Sequence, residues 1–138
     1  MSSMTPKPGL MANGNIYPAR FIKLDATSGE NQHALEATAA SRTVGISGEE
    51  LRNAPDANQS LYHAIDTDSM GTWYSEGDFC LLTIGVGGCV AMDLLKPSTN
   101  GVGIAVASNN DWYGAMAWGT YAEAELGLVQ VMSGFYGA

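Results

Sequence analysis

The chain predicts a mainly β fold, a small barrel or sandwich in one domain, and three observations carry that reading. Short apolar stretches recur at intervals of about 8–12 residues with turn signals between them, the spacing of an antiparallel sandwich or barrel. Glycine is abundant, at 17 of 138 residues, and supplies the positive-φ positions that tight turns and bulges require. Only 14% of residues are charged while 46% are hydrophobic, which suits a packed core and opposes disorder.

The elements follow in order. Residues 1–14 hold two prolines and no periodicity, and predict an extended N-terminal arm ahead of a single β-rich domain over 15–138. Asn15 to Leu24 alternates loosely and reads as a strand, with Pro18 marking an edge. Gln32 to Ala40 suits either a strand or a short helix, and Val44 to Ile46 a short strand. Ser47 begins a short helical turn, with Glu50 three residues on at capping-box spacing and Pro55 closing it. Leu61 to Ile65 and the Trp73-Tyr74 pair read as strands. Glu76-Gly77-Asp78 is a turn before a strand from Phe79 to Ile84. A glycine turn at Gly85 to Gly88 would then pair Ile84 with Cys89. That register sets Cys80 opposite Asp93, too far from Cys89 for a bridge, so both cysteines are expected as buried reduced thiols. The strand at Leu94 ends in the Pro97 to Gly101 turn; Val102 to Ala107, Trp112 to Tyr121 and Leu128 to Met132 supply the rest.

Charge narrows the function classes. Six basic against fourteen acidic residues give a net charge of −8, which repels phosphate backbones and excludes nucleic acid as the expected partner. No apolar run reaches the ~20 residues of a membrane-spanning helix. The N-terminus lacks the apolar core of a secretory signal, so synthesis in a cytoplasm is expected.

Catalytic and metal-binding patterns are incomplete. The two histidines, His33 and His63, stand in no ligand spacing, and Asp66 with Asp68 opens a calcium loop that nothing continues. Gly45-Ile-Ser47-Gly48 lacks the second half of a nucleophile elbow, and Gly85-Val-Gly-Gly88 has no following Lys-Ser or Lys-Thr. A hydrolase using Ser47 would need one histidine within hydrogen-bond reach of it. The expectation is a protein without enzymatic activity, metal or cofactor. The aromatic pairs Trp73-Tyr74 and Trp112-Tyr113, and Trp118 with Tyr121, divide between core packing and contact with a partner.

Four segments carry a likeness to a known family: Asn13 to Leu24, Val44 to Ser47, Cys80 to Lys96 and Ala124 to Val131. In order and spacing they resemble the small head-decoration, or cement, proteins of tailed bacteriophages. The third departs from the family pattern, with Met92 where glycine usually precedes the aspartate. The resemblance implies a β-rich homotrimer that binds the major capsid protein on the outside of the virion, cements neighbouring capsomers against the pressure of packaged DNA and has no catalytic role. Acidic character fits an outer surface, and a cyclic oligomer on a symmetry axis gains avidity. Leu10 and Met11 on the arm, with Arg20, Phe21, Trp73, Tyr74, Trp112 and Tyr113, are the expected capsid or subunit contacts. Removing residues 1–12 should weaken capsid binding and leave the fold intact. The alternative is a tail or fibre domain that recognises a host-surface glycan through exposed aromatics.

Overall fold

The computed structural model describes residues 11–24, 33–39, 41–48, 73–107 and 111–136. Expectations for the arm residues 1–10, for the helical turn after Gly48 and for Leu61 to Ile65 lie outside these.

Among the described residues, ten strands form two five-stranded sheets. The first contains β1 (Met11–Ala12), β2 (Phe21–Leu24), β3 (His33–Glu36), β4 (Gly45–Ser47) and β5 (Trp73–Tyr74), in the spatial order β1-β3-β2-β4-β5. The second contains β6 (Phe79–Thr83), β7 (Leu94–Pro97), β8 (Gly103–Ala105), β9 (Asp111–Ala117) and β10 (Leu126–Tyr136), in the order β6-β10-β9-β7-β8. The molecule is therefore mainly β, and residues 33–36 take the strand option. The second sheet curls back on itself: a parallel bridge joins Ile84 to Gly103, and Gly85 N–H donates to the Gly103 carbonyl at 2.7 Å. That contact brings the end of β6 beside β8 and joins the two edge strands of the sheet at this point.

The two sheets share a core through β2. Phe21 and Ile46 are paired across β2 and β4 and pack with Leu82, Leu95, Ala115, Val129 and Val131 of the second sheet. Ile22 points the other way, as alternation requires, into a smaller cluster with Ala12, Ile16 and Ala34. Central strand β2 is thus buried on both faces at Phe21 and Ile22. Gly103 makes the close approach of the layers possible: a Cβ there would stand 2.5 Å from Leu82 Cδ2 and 3.3 Å from Phe21 Cε2.

Three expectations change. Met11 and Ala12, assigned to the arm, form β1 in parallel register with His33 and Ala34, and Ala12 is fully buried. A cut after residue 12 would therefore remove part of the fold. The strand expected from Asn15 starts only at Phe21, because Pro18-Ala19 makes a turn with Ala19 at φ +56°. The predicted Ile84–Cys89 hairpin is absent; Cys89 bridges Tyr121 instead, while β6 pairs with β10. Cys80 and Cys89 are nonetheless buried thiols with no disulfide. Burial holds the Cys89 thiol above its ordinary pKa; the hydrogen bond with the Tyr121 backbone opposes this, and the nearby Asp93 carboxylate adds to it.

Candidate functional site: two apolar surfaces

Most of the sequence-derived contact residues serve the interior. Phe21 is fully buried between the sheets and presents no surface to a partner. Arg20 is tied down within the chain. Its N–H donates to Ser47 Oγ at 3.0 Å, one guanidinium nitrogen donates to the Asn100 carbonyl at 2.9 Å, and Cζ lies 5.5 Å from the Tyr17 ring centre. It thereby clamps the start of β2 to the turn at Thr99–Gly101 of the second sheet, and its Nε is buried without a hydrogen-bond partner. Trp73 and Tyr74 are half-buried, the first against the smaller cluster and the second against the main core. Met11 is exposed at its margin, and Leu10 is outside the described residues.

Ser47, weighed above as a helix cap and as a nucleophile, is fully buried at the end of β4. Its Oγ donates to the Tyr17 carbonyl at 2.7 Å and accepts from Arg20 N–H. Those bonds satisfy a buried hydroxyl and fix the Tyr17–Arg20 segment to β4, which is a structural task.

Among the described residues, two aromatic-bearing surfaces lie toward opposite ends of the β9–β10 ribbon. At one end the outward side chains of β6 and β10 with Trp118 form an apolar face. Phe79 and Trp118 are each 50% exposed, Leu126 is 52% and Leu128 is 41%. Their neighbourhood follows from the register, which sets Leu128 against Leu81 and brings Trp118 N–H to the Leu128 carbonyl at 3.0 Å. The Phe79 and Trp118 rings meet edge to face at 5.0 Å, an arrangement that fixes both aromatic planes. No described basic residue lies on β6, β9 or β10. The approaching turns are acidic, with Asp78 before Phe79 and Glu123 and Glu125 before Leu126.

At the other end Arg42 stacks its guanidinium over Trp112 at 4.3 Å, and Trp112 packs against Phe135 at 4.8 Å. Arg42, Leu24, Thr43, Val44 and Ser133 line an open cleft of about 510 Å³ between the sheets. Glu76 also reaches this end, its carboxylate accepting from Ser133 N–H and Oγ–H at 3.0 Å. Trp112 and Tyr113 are half-buried; Trp112 is a contact candidate whose stacking partner is already supplied by the chain.

Sequence reasoning missed Phe79, Leu126, Leu128 and Phe135. In Phe79-Cys-Leu-Leu-Thr83 apolar residues occupy both faces, so alternation does not mark which faces outward. In Leu126-Gly-Leu-Val129 the reason emerges only in three dimensions: glycine at 127 lies beneath Tyr121, whose Cδ2 would stand 2.6 Å from a Cβ. Leu126 and Leu128 are thereby assigned to the opposite, outer side.

No protein-family model matches the chain, and no curated protein matches it significantly. Among solved structures it is similar to the N base of the head fiber protein gp8.5 of bacteriophage phi29. The TM-score is 0.52 at 13% sequence identity, covering 90% of this chain and 91% of that one. At that identity the likeness is one of fold, and it extends over nearly the whole of both chains.

Proposed function

We propose that the chain is a structural protein of a bacteriophage virion that binds the outer surface of the capsid as a homotrimer and ties neighbouring capsomers together. The observation that carries the reading is the fold likeness to a phage head fiber base over nine-tenths of both chains. It joins the resemblance of four sequence segments to head-decoration proteins. The surface chemistry agrees: a net charge of −8 is disfavoured beside packaged DNA and accepted on an outer face. Half-exposed aromatic side chains such as Trp118 and Phe79 are of the residue types enriched in protein contacts.

Cosedimentation with mature capsids tests the proposal. The protein should pellet with capsids to a saturating copy number and raise the temperature at which they release DNA. Absence of binding to capsids of the phage that encodes it would overturn the proposal.

A second reading, a tail- or fibre-associated domain that recognises a host-surface glycan, is favoured by one observation: the likeness is to the base of a fiber. The aromatic pair Trp112–Phe135 beside Arg42 is where a sugar ring would stack. Binding to host-surface polysaccharide without capsids, lost in Phe135→Ala, would establish it.

A further inference from the structure

The two surfaces described above complement each other, and we propose that copies of this chain associate head to tail. The apolar face of Phe79, Trp118, Leu126 and Leu128 on one copy seats on the Arg42 cleft of the next. This deepens the oligomer in the capsid reading by assigning its interface, and it is tested without capsids.

Three observations select a second copy as the occupant. The first is charge. The apolar face is approached by the acidic turns at Asp78 and at Glu123–Glu125, and β6, β9 and β10 carry no described basic residue. The cleft presents exposed Arg42, its one charged lining residue among those described; the Glu76 carboxylate beside it is engaged by Ser133 N–H and Oγ–H. Two copies meeting through the same apolar face would set acidic turn against acidic turn. A head-to-tail contact instead sets the acidic turns toward Arg42, a pairing that orients association.

The second observation is shape. Trp118 and Phe79 stand out from the sheet as an edge-to-face pair, and the cleft between the sheets has about 510 Å³ of open space with an apolar wall at Leu24 and Val44. A protruding aromatic meeting a recess is the usual geometry of an interface anchor.

The third is area. Four large side chains at roughly half exposure offer about 400 Å² of apolar surface, the core of a contact that buries about 800 Å² per partner. Since the matching surfaces differ, the contact is heterologous and repeats until the ring closes.

The test is complementation between two variants of the full chain, read by light scattering without capsids. Wild type should scatter as a multiple of the 14.5 kDa chain. Trp118→Glu spoils the face and Arg42→Glu spoils the cleft, and each alone should be monomeric, with self-association weakened roughly 30-fold or more. Mixed in equal amounts they retain one intact pair of surfaces and should form a dimer that grows no further. Circular dichroism and a cooperative melt confirm that each variant folds. Leu126→Lys replaces Trp118→Glu should the latter unfold. A monomeric wild type, an Arg42→Glu variant that still assembles, or a mixture that stays monomeric would each overturn the proposal.

Discussion

Met92 stands at φ +76° with its side chain 74% exposed, in the position where the resembling family usually has glycine. A left-handed backbone costs a residue with a Cβ about 1–2 kcal/mol, and nothing buried at Met92 offsets it. Met92→Gly is expected to raise stability by about 1 kcal/mol, read as a higher denaturant midpoint with an unchanged slope. A lower midpoint would mean that the methionine stabilises the turn from Val90 to Asp93. Cys89 gives a pH prediction. Its folded pKa lies above the unfolded value, so the folded state holds the proton more tightly. The resulting stability is present below the ordinary thiol range near pH ~8.5 and is lost as pH rises through the folded pKa. Comparing wild type with Cys89→Ala between pH 7 and 10 should show a downward slope that the variant lacks. A parallel pair of curves would contradict it.

Strand β2 carries the largest element-scale consequence, because Phe21 faces the second sheet while Ile22 faces the smaller cluster. Phe21→Ala would open a cavity between the layers and should cost about 3–5 kcal/mol. Gly103→Ala acts from the opposite side, forcing a methyl toward Leu82 and Phe21, and should cost about 1–3 kcal/mol by overpacking. Chemical denaturation of both variants checks the pair; a near-neutral Gly103→Ala would show that Leu82 can move aside. In β10 the register with β9 shifts between Val131 and Gly134. Such a bulge bends a strand, and Phe135 is carried beyond it to the Trp112–Arg42 end.

At the scale of the whole molecule, the N-terminus belongs partly to the domain. Truncations at 10 and at 12 isolate the contribution of β1. Removing 1–12 also takes away β1, with buried Ala12 and the hydrogen bond from Asn13 N–H to the Ala34 carbonyl. That cut should destabilise by about 1–3 kcal/mol. Melting curves of the two truncations side by side decide whether the arm ends before Met11. Polarity is also a whole-molecule property. One end of the β9–β10 ribbon is apolar and acid-edged and the other holds the Arg42 cleft, the two halves of the proposed contact.

By itself the sequence determined the fold class and some of its turns, among them Glu76-Gly77-Asp78 and the one after Pro97. Those follow from local chemistry: glycine and Asn-Gly stop strands, and short apolar runs between them must pair. It also determined that Cys80 and Cys89 would be buried thiols, though from a hairpin that does not form. Only the tertiary structure decided strand partners, since β6 meets β10 some 45 residues on, a separation whose extra closure entropy is small, rather than the adjacent Cys89 segment. Only it decided which apolar residues face out. Phe21 was expected as a contact and is core; Phe79, not singled out as a contact, is half exposed. Both lie in runs that are apolar on consecutive residues, where a shift of one position exchanges inside for outside and composition is the same either way.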